Sequence, residues 1–119
     1  EEMNDMEEII KKLRAFNDER DWEQFHTPEN LAKSISIEAA ELLECFQWDN
    51  QYDIGNVSDE IADVMLYCLM LGDKIGLNMK DEMNRKIDQN GKKYPVEKCK
   101  GQSEKYDQLE DRIKDEHKE

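Results

Sequence analysis

The sequence predicts an all-α fold, and three observations carry that prediction. Helix formers such as Glu, Lys, Leu, Met and Ala are abundant, against only 2 Pro and 5 Gly in 119 residues. Apolar residues recur at intervals of three and four along successive stretches. The stretches are separated by residues that cap or break helices. The length suits one domain with a modest core. With 37% hydrophobic and 39% charged residues, that core is short of apolar material. The expectation is therefore a four-helix bundle completed by oligomerisation, covering 1–100, with a charged, partly helical tail over 101–119.

The elements follow in order. Met6, Ile9, Ile10, Leu13 and Phe16 place a first amphipathic helix from Met3 to about Asp21. Met3 is expected as the native start, after Glu1 and Glu2. A polar loop, Arg20 to Thr27, carries Trp22, Phe25 and His26. Thr27-Pro28 then reads as N-cap and first helical residue, and a second helix should run to about Trp48. The stretch Asp49–Asn56 is turn-rich. Asn56 or Ser58 caps a third helix ending near Lys74 and closed by Gly76. Asn78 caps a fourth helix, Met79 to about Asn90, ended by Gly91 and Pro95. Residues 104–119 hold seven acids and four basic residues, with Tyr106, Leu109 and Ile113 in one weak stripe. They form either a helix docked on a partner subunit or a frayed extension.

Composition excludes several roles. A net charge of −13 argues against binding a nucleic-acid polymer, which needs Lys and Arg for its phosphates. The longest apolar run, Val64–Leu71, is far too short to span a bilayer. No signal peptide is visible. Cys45, Cys68 and Cys99 are odd in number and lack Cys-x-x-Cys spacing, so neither a disulfide framework nor a zinc site is expected. Cys45 and Cys68 read as buried helix residues, and a reducing cytoplasm fits.

The chemistry gathers at two acidic pairs, Glu38-Ala39-Ala40-Glu41 and Glu60-Ile61-Ala62-Asp63, eighteen residues apart. Residues three apart share a helix face. On the second helix that face also holds Leu31, Ile35, Leu42 and Cys45; on the third it holds Val57, Val64, Tyr67 and Leu71. Acids on a helix are usually solvated, but these four lie in or beside the apolar stripes. Two like charges ~4 Å apart repel by about 4 kcal/mol at an effective dielectric of ~20, and desolvation adds several kcal/mol per ion. Neither stripe contains Lys or Arg. A divalent cation is the economical counter-charge. Hard oxygen ligands suit Mg²⁺, with Mn²⁺ as a substitute, and Mg²⁺ leaves room for substrate phosphates.

Two competing metal sites fit less well. A di-iron bundle wants Glu-x-x-His on two helices, and neither acidic helix contains a histidine. Asp49, Gln51, Asp53 and Glu60 match an EF-hand frame, but Ile54 stands where glycine is required.

Residues 80–100 hold seven basic residues against four acids. Lys86, Asn90 and Lys93 recur there at near-helical spacing, as a solvated face or as phosphate contacts. Trp22 and Trp48 flank the second helix and Tyr67 follows Asp63 by one turn. Each is either core or a platform for a nucleobase, worth ~1–3 kcal/mol per stack. His26 is either a polar contact or a plain loop residue.

The doubled Glu-x-x-acid motif resembles the metal motif of the MazG-like, all-α nucleoside triphosphate pyrophosphohydrolases. The segments Arg20-Asp21-Trp22-Glu23-Gln24-Phe25-His26, Phe46-Gln47-Trp48 and Lys93-Tyr94-Pro95 resemble its dCTP pyrophosphatase branch. The likeness covers roughly residues 5–97. It implies a helical dimer or tetramer that cleaves a nucleoside triphosphate to monophosphate and pyrophosphate with Mg²⁺. It further implies that Glu38, Glu41, Glu60 and Asp63 hold the metal, that Trp22, Trp48 and Tyr67 form the base and sugar pocket, and that Asn90, Lys93 and Tyr94 meet phosphates or sugar. Lys86 and His26 join the expected substrate contacts, and Glu41 with Glu38 the expected catalytic residues, Glu41 accepting a proton from water. The chain departs from relatives at Leu13, where some carry a ligand-contacting histidine, and at Gly91-Lys92, which is less basic. The alternative reading is a non-catalytic acidic helical interaction module with a structural metal site.

Overall fold

The structure, a computed structural model, describes residues 3–48 and 51–101. It is all-α: four main helices and one short one, with no strand among the described residues. Helix α1 spans Asp5–Glu19. Asn4 opens it with a reciprocal cap: its side chain accepts from the Glu7 amide at 2.9 Å, and the Glu7 carboxylate accepts from the Asn4 amide at 3.3 Å. The helix closes on Asn17, whose carbonyl accepts from the amides of Arg20 (3.3 Å) and Trp22 (2.9 Å). The chain reverses at Asp21, in the left-handed region at φ 55°. A short polar side chain tolerates that conformation, and the Gln24 amide bonds both the carbonyl and the carboxylate of Asp21.

A 3₁₀ turn, Glu23–Phe25, leads to α2, Pro28–Glu44. Thr27 caps it, accepting from the Asn30 amide at 3.1 Å, with Pro28 at the start as expected. Helix α2 stops four residues short of Trp48. Its last turn tightens through the amides of Cys45, Phe46 and Gln47, each bonded three residues back. Two aromatics followed by Asp49-Asn50 are poor material for extending a helix.

Helix α3, Ile54–Lys74, begins earlier than the sequence suggests. The Asp53 carboxylate caps it, accepting from the Gly55 (2.8 Å) and Asn56 (3.4 Å) amides. One carboxylate thus satisfies two orphan donors, which displaces Asn56 and Ser58 into the helix. Gly76, at φ 83°, closes α3 as expected, and the Leu77 amide returns to the Gly72 carbonyl at 2.8 Å.

Helix α4, Met79–Lys93, runs through Gly91 rather than ending before it. An interior glycine costs ~1 kcal/mol relative to alanine, and Lys92 and Lys93 continue the helix beyond it. Pro95 is the true stop, and opens a further single turn, α5, Val96–Cys99. The EF-hand residue Asp49 and the tail over 104–119 lie outside the described residues.

The chain divides into two compact units, one ending at Met79 and the other beginning at Lys80. In the first, α2 packs along α3, and α1 packs on α3. Its core is small: Leu31 from α2, and Val57 and Leu69 from α3, are the buried apolar side chains. Arg14 Nε donates to Asp73 Oδ2 at 2.9 Å, tying α1 to the end of α3 and holding the Asp73 carboxyl below its usual range. Both side chains are partly exposed, so the pair contributes at most ~1 kcal/mol.

Cys45 is half-buried, but Cys68 is exposed, contrary to the sequence expectation. The run Val64–Leu71 is apolar all round, so its pattern does not say which face meets α2. Cys68 lies with Ile54, Ile61 and Met65 on the other face, where all three are exposed. No helix among the described residues is long and apolar enough to cross a membrane.

Candidate functional site

The α2–α3 packing brings the two acidic pairs together. One carboxylate oxygen each from Glu38, Glu60 and Asp63 lies within 4.8 Å of the others. Glu38 and Glu60 are half-buried; Asp63 is exposed. Glu38 Oε2 and Glu60 Oε2 are buried and accept no hydrogen bond. Glu41 stands beside this triad, exposed, and acts on both glutamates. The Glu38 carboxyl is pushed up to about 7, first by desolvation, then by hydrogen bonding with Glu41 and by its charge, then by Glu60 and Asp63. Desolvation also raises the Glu60 carboxyl, followed by the charge of Glu41.

No ion pair among the described residues reaches any of the four acids. Without a cation, desolvation and the neighbouring acids favour the protonated form of the Glu38 carboxyl. The donor set is all oxygen, converges on one point, and includes two buried oxygens without partners. These features fit a hard divalent cation. Glu38, Glu60 and Asp63 supply the converging atoms and Glu41 stands in reserve at the edge.

Asp63 also lines a cleft of about 470 Å³, a size typical of small-ligand sites. Its walls include Phe16, Trp22 and Tyr67, with Leu13, Leu66 and Met70 completing an apolar lining. Trp22 is held edge-on from two sides: its ring lies 5.7 Å from Phe16 and 6.4 Å from His26, both T-shaped. The Arg20 guanidinium covers the Phe16 ring at 3.7 Å, fixing it in turn. His26 and Asn17 line the same cleft, and each carries a buried polar atom, Nδ1 and Oδ1, without a hydrogen-bond partner.

The remaining expected residues sit elsewhere. Trp48 follows the last turn of α2, is 87% exposed and does not line the cleft. Lys86, Asn90 and Lys93 run along α4 in the second unit, with Tyr94 just after it; the Tyr94 amide donates to the Asn90 carbonyl at 2.9 Å. Lys86 Nζ bonds the Gln89 side chain at 3.2 Å. Within the first unit, sequence reasoning missed Phe16 and Asn17 as lining residues. Asn17 carried a usable signal: a polar residue at helical spacing from Ile10 and Leu13, in the stripe that packs inward.

Residues 33–109 match the model of the MazG-like family. The chain is similar to dCTP pyrophosphatase 1 of Mus musculus and of Homo sapiens, each 34% identical over 113 positions, covering 86% of this chain. It spans 66% of the length of these relatives. It is also similar to the crystal structure of a pyrophosphatase from Archaeoglobus fulgidus, 45% identical with a TM-score of 0.72, covering 80% of this chain and 96% of that one.

Proposed function

Because the chain belongs to the MazG-like family, we propose that it is a nucleoside triphosphate pyrophosphohydrolase that hydrolyses a deoxynucleoside triphosphate, dCTP or a close relative, to the monophosphate and pyrophosphate. The observation that carries this reading is the shared residue Asp63, which belongs both to the acidic triad and to the aromatic cleft. A base held between Trp22 and Tyr67 would bring its phosphates toward the carboxylates. The similarity to dCTP pyrophosphatase 1 supports the same substrate class.

Glu38, Glu60 and Asp63 would hold Mg²⁺, or Mn²⁺ in its place, with Glu41 beside them. When bound there, the cation supplies neutralisation of phosphate charge and acidification of water. The protein's own part is to position and to take protons. Tyr67 and Trp22 fix the nucleoside, and the apolar lining excludes water from around it. Glu41, exposed at the edge of the triad, accepts the proton of the attacking water. The water oxygen bonds to the α-phosphorus in line with the departing bridge oxygen, the α–β anhydride bond breaks, and pyrophosphate leaves. No covalent enzyme intermediate is involved. The family resemblance puts forward Lys86, Asn90, Lys93 and Tyr94 as contacts for phosphates and sugar.

The proposed assembly is a homodimer or homotetramer, supported by the exposed apolar stripe of α3 and by Trp48. A reducing cytoplasmic setting is supported by the three free cysteines. The direct test is incubation with each deoxynucleoside triphosphate and Mg²⁺. Pyrophosphate release is expected, strongest with dCTP or a relative. Release of inorganic phosphate would overturn the bond assignment. Absence of any product would favour a non-catalytic helical module with a structural metal.

A further inference from the structure

Asn17 is 4% exposed and is the one buried polar side chain among the described residues. Its backbone carbonyl is doubly used at the end of α1, but its side chain is not. Nδ2 makes a weak 3.8 Å contact to the Met70 sulfur. Oδ1 is buried and accepts nothing. A buried acceptor without a donor is a standing cost, and a leucine would fit this stripe without it. Asn17 lines the cleft together with Phe16, Trp22 and Tyr67, and its unmet acceptor is buried there.

We infer that Asn17 is a specificity-determining residue that reads the edge of the base, its Oδ1 accepting from an exocyclic amino group. The inference rests on the nucleotide reading of the cleft. The thioether of Met70 is an acceptor only, so it orients the amide with Nδ2 toward sulfur and leaves Oδ1 for the ligand. Met70 lines the cleft too, and its unbranched side chain adapts at low cost to a ligand beside the amide. Cytosine presents an amino donor where uracil presents a carbonyl acceptor. Against Oδ1, cytosine completes a hydrogen bond and uracil sets two acceptors face to face. Sites that hydrogen-bond a substrate group discriminate against analogues lacking it.

The competing explanation is a water. A cavity of about 20 Å³ also touches Asn17 and His26, enough room for one molecule. A water held there would satisfy Oδ1 for structural reasons alone.

The test is equilibrium binding of dCMP and of dUMP, followed by tryptophan fluorescence, to the wild type, Asn17→Leu and Asn17→Asp, with melting temperatures. The wild type should bind dCMP about tenfold more tightly. Asn17→Leu should bring the two bases to near equality while keeping the fold, and Asn17→Asp, which keeps an acceptor, should retain the preference. A wild-type ratio near one overturns the inference, whether or not Asn17→Leu folds. So does an Asn17→Leu variant that melts lower with its base ratio unchanged, the result the water predicts. The dCTP-to-dUTP ratio of kcat/KM separates this inference from the enzymatic reading. Turnover without Asn17-dependent base preference sinks the inference alone; Asn17-dependent binding without turnover sinks the enzymatic reading alone.

Discussion

Glu60 shows how a single side chain can be costly to the fold and, under the proposed function, required at the site. Its Oε2 is buried without a partner, and its carboxyl is raised by desolvation and by Glu41. Glu60→Gln removes a negative charge from a crowded place and keeps the shape. Turnover with Mg²⁺ is expected to fall below detection, while the metal-free melting temperature stays level or rises. A large drop in that temperature would mean that Glu60 is a structural acceptor. Glu38 gives the matching pH dependence. Its folded carboxyl titrates at about 7 against an ordinary value of 4.5, so the folded state binds more protons across that interval. Stability of the metal-free protein should therefore be fully present below about 4.5 and decline as pH rises towards 7. Added Mg²⁺ should restore it at the upper end, and melting curves at stepped pH with and without the ion check both halves. These acids were legible in the sequence because charge in an apolar stripe is anomalous. Asn17 is a milder form of the same anomaly, and it went unread because a neutral amide in a helix does not demand a partner as a carboxylate does.

At the scale of elements, periodicity located the four main helices and missed details of their ends. Thr27-Pro28 is a strong signal because the cap and the first residue agree. Thr27→Ala should cost about 1 kcal/mol, read as a lower urea midpoint at unchanged slope; an unchanged midpoint would show that Pro28 alone fixes the start of α2. Asp53 was passed over because Ile54-Gly55 after it does not look helical, yet its carboxylate binds two amides at once. Gly91 does not stop α4, since a glycine only weakens a helix whereas Pro95 cannot continue one. The uniformly apolar centre of α3 hid which face packs on α2, and with it the exposure of Cys68. Trp48 lies at the far end of α2 from Trp22 and His26, where its side chain is exposed.

For the whole molecule, the shortage of apolar residues predicted from composition appears as a core of three buried apolar side chains among the described residues, Leu31, Val57 and Leu69. Ile54, Ile61 and Met65 lie exposed along one stripe of α3, with Ile37 and Leu43 exposed on α2. An exposed apolar stripe such as that of α3 marks an interaction face. Light scattering should give at least twice the 14.1 kDa chain mass, and Met65→Lys should shift it towards one chain; a wild-type monomer would contradict the proposed assembly. More locally, in a chain of net charge −13, three carboxylates converge where α2 packs on α3, and under the proposed function they receive a cation and its triphosphate. Crystals grown with Mn²⁺ and a non-hydrolysable dCTP analogue measure this directly through anomalous scattering. A manganese peak is expected bonded to oxygens of Glu38, Glu60 and Asp63, with the analogue's phosphates beside it and its base between Trp22 and Tyr67. A nucleotide bound elsewhere, or manganese absent from those three carboxylates, would contradict it.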